Sequence, residues 1–214
     1  MIKTASATVA TETPVILRVP PSAAWDDEQF FLFCQANRDW GFERTAEGDI
    51  VIMTASGGET GWRNSEINLA LRLWAKQAGS GEVFDSSTGF VLGNGAVRAP
   101  DAAWVRRERL RSLTRRQWQR FLPLCPDFVM ELRSPSDPLP PLRTKMEEYL
   151  AQGAQLGWLI DPERQVVEVF RPNLPLMLLD HPPAISGDPI LPGLVLDLTL
   201  IWQGPLPFTT EQAE

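Results

Sequence analysis

Between Asp26 and Trp202 the chain alternates stretches of helical apolar spacing with short strand-like runs. Asp26 or Asp27 can cap a helix that carries Phe30, Phe33 and Cys34 on one face. A strand is predicted near Phe42–Thr45, a turn over Ala46–Asp49 and a second strand over Ile50–Met53. Gly57 and Gly58 break the chain. Beyond them, Ile67, Ala70, Leu71 and Trp74 take the i, i+3, i+4 and i+7 positions of a longer amphipathic helix. Val83-Phe84 and Phe90–Leu92 lead through the Gly93-Asn94-Gly95 turn to a strand that carries Asp101. Phe128, Met130 and Leu132 alternate with Asp127, Val129 and Glu131, which turns Glu131 away from the first apolar set.

After a Ser-Pro-Ser-Asp-Pro break, a helix is predicted over Thr144–Gln152, with Met146 and Leu150 on one face and Gly153 ending it. Lys145 and Tyr149 share a different face of that helix. Trp158–Ile160, a turn at Asp161-Pro162 and Val166–Phe170 form a further hairpin. A proline-rich stretch from Pro172 to Pro192 covers a surface before a last apolar segment, Leu194–Trp202. The sum is a mixed α/β (α+β) fold, helices around a central mixed sheet built largely of hairpins, with one strand-helix-strand unit after Glu131. Residues 1–24, rich in Thr, Ala and Pro, read as a weakly structured leader, residues 25–204 as one domain and residues 205–214 as a C-terminal tail.

Composition narrows the function classes. With 214 residues, 43% of them hydrophobic and 22% charged, the chain has the material for one full core. No apolar run approaches the ~20 residues of a membrane span, and no basic start followed by an apolar stretch marks a secretory signal. The two cysteines, Cys34 and Cys125, are expected as free thiols in a cytoplasmic protein. His181 is the single histidine and is placed in a surface loop, which leaves histidine-based zinc sites and a Ser-His-Asp triad without their parts. Phosphate-cradling glycine loops are also missing. Any catalysis therefore runs on carboxylates, lysine and metal. The net charge of −7 argues against indiscriminate nucleic-acid binding. Against that, eight arginines lie between Arg98 and Arg120, opposed in that segment only by Asp101 and Glu108. The run permits contact with phosphates, although a solvated helix face is its commoner use.

Two acidic residues stand at the edges of strand-like runs, Asp101 after Arg98-Ala99-Pro100 and Glu131 before Leu132-Arg133. If their strands are neighbours, the two carboxylates could hold one magnesium ion, with the carbonyl of Leu132 as a further ligand. Lys145 could orient an attacking water or stabilise charge on phosphorus. Acidic strand ends are common, and Asp127 and Asp161 are others in this chain, so spacing alone leaves a purely structural use open.

The run Val97-Arg98-Ala99-Pro100-Asp101-Ala102-Ala103-Trp104-Val105 resembles the R-x-PD-x-x-[WF]-V signature of the Uma-two family of endonucleases. Cys125–Asp137 is similar to its PD-hydrophobic-E-x-x-SPSD block, and Lys145–Leu150 with Gly153 and Gly157–Pro162 to its K-x-x-E-Y and W-L-I-D-P block. Leu191-Pro192-Gly193 followed by Leu196 matches the terminal motif. These blocks run in the family's order from about Phe30 to Trp202. The resemblance implies a restriction-endonuclease-like fold of the PD-(D/E)xK superfamily, acting on DNA, most simply duplex DNA, with Mg2+ or alternatively Mn2+. Asp101 and Glu131 would be the metal-binding acids and Glu43 would complete the cluster. The superfamily lysine normally lies two residues after the second acid, where this chain has Arg133, so Lys145 becomes the candidate. Glu59 and Asn64 lie where other members place polar residues. A homodimer is implied by analogy, because cutting both strands of a duplex favours two sites. Two other readings stay open: a nucleic-acid-binding module of the same fold without cleavage, and a protein-interaction or regulatory domain.

Overall fold

Two sheets and a short hairpin organise residues 15–206, which are those described by the computed structural model. In chain order the elements begin with β1 (Val15–Leu17), α1 (Asp27–Ala36), β2 (Gly41–Arg44), β3 (Ile50–Met53), α2 (Gly58–Ala78), β4 (Gly81–Asp85), β5 (Phe90–Val91), β6 (Val97–Arg98) and β7 (Ala102–Arg106). They continue with α3 (Arg107–Arg111), α4 (Arg115–Trp118), β8 (Phe128–Leu132), α5 (Leu139–Ala151), β9 (Leu156–Asp161) and β10 (Val166–Phe170). The chain closes with β11 (Met177–Asp180), β12 (Ala184–Ser186), β13 (Val195–Asp197) and α6 (Thr199–Gln203). One sheet has the order β1-β3-β2-β6-β5 and the other β11-β10-β9-β8-β7-β4, while β12 pairs with β13. Among the strand pairs of the described residues, only β8 with β9 is parallel, and α5 makes the crossover between them.

The centre of the six-stranded sheet is buried on both faces. Phe128, Met130, Leu132, Trp158 and Ile160 project toward Ile67, Leu71 and Ala75 of α2 and toward the C-terminal residues Leu194, Leu196 and Ile201. Ala103, Val105, Val129 and Leu159 face Met146 and Tyr149 of α5 and Leu110 of α3. The strands β8, β9 and β10 therefore show unbroken burial, β8 from Phe128 to Leu132. Glu131 alternates with the first set and lies on the α5 side.

Most predicted elements are present, and four differ; Asp101, expected on a strand, lies in the turn between β6 and β7. The helix expected from Thr144 begins at Leu139 and includes Pro140 and Pro141. Prolines are compatible with a first helical turn, where the N–H has no intrahelical partner. The stretch from Pro172 to Pro192 holds β11 and β12 rather than only covering a surface. On α5 the buried residues are Met146 and Tyr149, while Leu150 is partly exposed, so the Lys145/Tyr149 face is not set apart from the core.

Asp26 caps α1 through a reciprocal pair with Gln29. His181 follows β11 and is exposed, with Asp180 as its partner. Cys34 and Cys125 are free. No helix of the described residues is long and apolar enough to cross a membrane. In the expected leader, Val15–Leu17 pair with β3, and residues 1–14 lie outside the described residues, as do residues 207–214 of the expected tail.

Candidate active site

Four segments distant in sequence bring their polar side chains to one end of the six-stranded sheet. β2 supplies Glu43, the turn before β7 supplies Asp101, β8 supplies Glu131 and α5 supplies Lys145. Lys145 lies between two carboxylates, with its Nζ 2.8 Å from Glu43 Oε1 and 2.9 Å from Glu131 Oε1. Glu43 and Glu131 are 3% and 5% exposed, so neither charge is left to water. Tyr149 Oη donates to Glu131 Oε1 at 3.1 Å. The i, i+4 spacing that puts Lys145 and Tyr149 on one face of α5 thus aims both at the same carboxylate.

Asp101 is one contact removed from that cluster. The Leu132 N–H donates to Asp101 Oδ2 at 2.8 Å, and Asn64 Nδ2 of α2 donates to Asp101 Oδ1 at 3.2 Å. Leu132 is the neighbour of Glu131, so the end of β8 holds one acid by its backbone and carries the other on its side chain. Asn68, one turn further along α2, donates from Nδ2 to the backbone carbonyl of Asp101 at 3.0 Å.

A second cation extends the network. Arg98 Nη1 is 3.1 Å from Glu43 Oε2, and its Nε donates to Glu148 Oε2 at 2.6 Å. The Ala99 N–H donates to Glu43 Oε1 at 2.9 Å. Four carboxylates, Glu43, Asp101, Glu131 and Glu148, thereby face two cations, Arg98 and Lys145. Negative charge is in excess.

Titration follows from that imbalance. Burial pushes the Glu131 carboxyl up to about 7, and the like charges of Asp101 and Glu43 add to the rise against the pull of Lys145. Burial raises Asp101 as well, with the Leu132 N–H opposing it. Burial would also raise Glu43, but Lys145 and Arg98 outweigh it and hold Glu43 below the ordinary carboxylate range. Burial works against the charge of Lys145, yet Glu131 and Glu43 prevail and raise its affinity for the proton. Lys145 is a fixed ammonium at neutral pH.

Other residues singled out in the sequence are used elsewhere. Arg133 reaches Asp161 at 2.9 Å and Glu163 at 3.3 Å through Nη1, and donates from Nε to the Asp137 carbonyl, so it clamps the turn after β8. Glu59 pairs with Arg63 at 2.7 Å. Five arginines of the arginine-rich segment lie against three acids from outside it. Arg106 and Arg109 lie against Asp127, Arg107 against Glu82, and Arg116 and Arg120 against Glu28. Arg98, counted in the sequence with this surface run, is instead a largely buried partner of the acids. Glu148, the acid of the K-x-x-E-Y block, was given no role in the sequence; its position three residues after Lys145 on a helix is the available signal.

The donor set suits a hard divalent cation, because it is made of oxygens and carries uncompensated negative charge. Among the described residues, no three acidic, histidine or cysteine groups come together closely enough to hold an ion by themselves. Neutral oxygens and water would have to complete such a site. One neutral oxygen is already there. Asn64 Oδ1 is buried and has no hydrogen-bond partner.

Tyr149 gives a direct test of the network. Tyr149→Phe removes the hydroxyl that donates to Glu131 and is expected to cost about 2 kcal/mol of unfolding free energy. Urea denaturation at pH 8 would read it, and an unchanged midpoint would mean that the bond carries no stability.

A family model described as "Uma2: Putative restriction endonuclease" matches residues 27–199. Four solved chains match the structure. One is described as "a putative nuclease belonging to DUF820" from Anabaena variabilis; it is 21% identical, with a TM-score of 0.66, and the match covers 76% of this chain and 90% of that one. That likeness is one of fold, and the fold is restriction-endonuclease-like. No curated protein matches the sequence.

Proposed function

The chain belongs to the Uma2 family, and from that premise we propose that it is a metal-dependent endonuclease that hydrolyses phosphodiester bonds of duplex DNA. The observation that carries this reading is the set of buried and partly buried carboxylates with fewer cations than anions, gathered around the Lys145 ammonium. Asp101 and Glu131 are the acids that would hold Mg2+, or Mn2+ in its place, with the Leu132 carbonyl as a further ligand. Bound there, the ion would supply positive charge against the phosphate and a more acidic attacking water.

The protein's own groups divide the remaining work. Lys145 keeps its proton, so its part is that of a donor and a positive charge and not that of a base. Two of its three N–H donors answer Glu43 and Glu131, which leaves one for a water or a phosphate oxygen. Glu43 fixes the ammonium from the opposite side and is itself fixed by Arg98 and the Ala99 N–H. Tyr149 orients the Glu131 carboxylate. A two-fold dimer would offer one such site to each DNA strand.

Incubation of purified protein with supercoiled plasmid and Mg2+ or Mn2+ tests the proposal. Nicked or linear product is expected, with chelator and Asp101→Asn each abolishing it. DNA binding without turnover, unaffected by Asp101→Asn, would instead favour a non-cleaving module. Failure to bind DNA even at low salt would sink both readings.

A further inference from the structure

Helix α2 turns a row of polar side chains toward the candidate site at four-residue spacing, namely Thr60, Asn64 and Asn68. Thr60 Oγ1 lies 3.5 Å from Ser134 Oγ, and Asn68 Nδ2 donates to the carbonyls of Asn64 and Asp101. Asn64 differs from both. Its Nδ2 donates to the Asp101 carboxylate, which fixes the orientation of the amide, since the reverse would set oxygen against oxygen. Its Oδ1 is then left buried without a donor.

A buried acceptor without a partner is costly, and in native proteins it commonly marks a bound ion or water. No neighbouring donor meets it. The Leu132 N–H is directed to Asp101 Oδ2 and two of the three Lys145 N–H groups to Glu43 and Glu131, and the third does not reach Asn64 Oδ1. The unused oxygen belongs to an amide that touches one of the two candidate metal-binding acids. Hard divalent cations accept amide carbonyl oxygens beside carboxylates. Such a ligand adds an oxygen without adding to the negative charge already in excess, and it answers the lack of a third acid close by.

We propose that Asn64 Oδ1 is the neutral ligand that completes a divalent-cation site built on Asp101, an inference that rests on reading Asp101 and Glu131 as the metal-binding acids. Helix α2 then takes a direct part in the site, and the Asn64 amide both steadies Asp101 and contributes an oxygen.

The test is a titration of the purified full chain with Mn2+ at pH 8, without DNA, following loss of the free-ion electron paramagnetic resonance signal. Asn64→Ala is expected to weaken Mn2+ about tenfold or more. Asn64→Asp keeps an oxygen in place but cannot donate to Asp101, and it is expected to bind at least as tightly as the unaltered protein. Circular dichroism establishes that each variant is folded; if Asn64→Ala is not, the comparison with Asn64→Asp still decides. Binding lost in Asp101→Asn and Glu131→Gln but unchanged in Asn64→Ala would overturn the role of Asn64 and leave the acid pair standing. Asn64→Asp binding more weakly than the unaltered protein would assign Asn64 to steadying Asp101 alone, again overturning the inference. If the unaltered protein shows no saturable binding into the millimolar range, the reading of the acid pair falls together with it.

Discussion

Replacing Lys145 with methionine is expected to lower the unfolding free energy by about 3–5 kcal/mol at pH 8. The side chain fits the space, but its loss strands two buried carboxylates, Glu43 and Glu131, that its ammonium joins at 2.8 and 2.9 Å. Arg98 still serves Glu43, while Glu131 keeps only the Tyr149 hydroxyl. The sign of the pH dependence follows from Glu43. Its folded-state pKa lies below the ordinary 4.5, despite burial, largely through Lys145. That stability is present above 4.5 and is lost as pH falls through the folded value. Unfolding curves of the variant and the unaltered protein should therefore approach one another in acid and diverge toward pH 8. Equal destabilisation at pH 4 and pH 8 would show that methionine disturbs packing instead of charge.

Glu131→Gln is expected to act in opposite directions on activity and stability. Cleavage should fall about a thousandfold or more, since the variant removes an acid proposed to hold the ion that stabilises charge at phosphorus. Stability should rise by about 3 kcal/mol above pH 7. Burial and two like-charged neighbours lift the Glu131 carboxyl from 4.5 to about 7. A raised carboxyl favours the folded state fully below 4.5 and loses that contribution as pH climbs through 7. Glutamine never ionises, so its advantage appears across that interval and then levels off. Thermal unfolding from pH 4 to pH 8, set beside plasmid cleavage, reads both effects. A fully active Glu131→Gln would remove this acid from the proposed chemistry.

How far the site can be seen in the sequence depends on the kind of contact. The hairpins β2–β3 and β9–β10 were legible because alternation and a turn are local signals, as at Ala46–Asp49 and Asp161-Pro162. The start of α5 was obscured because Pro140 and Pro141 follow directly on the Ser134–Pro138 break, although a first helical turn tolerates prolines. Asp101, Glu131 and Lys145 stood out by type and position, but their convergence depends on sheet order, which periodicity does not encode. Arg98 shows the limit. In sequence it heads a basic run, and only the pairing of β6 with β2 at Arg44 and Val97 brings it beside Glu43. Tyr149 was hidden differently, since a tyrosine beside a lysine on a helix is usually solvated; the buried carboxylate beneath it reverses that.

Glu43 and Glu131 belong to different sheets, one on β2 and the other on β8, and Lys145 ties them together. The residue that balances charge at the candidate site is therefore also a joint between two layers of the fold. A ligand that draws Glu131 toward itself would leave the ammonium to Glu43 alone, changing the strain on that joint. By linkage the reverse holds equally: a mutation that loosens the five-stranded sheet should alter affinity at the far carboxylate without touching it.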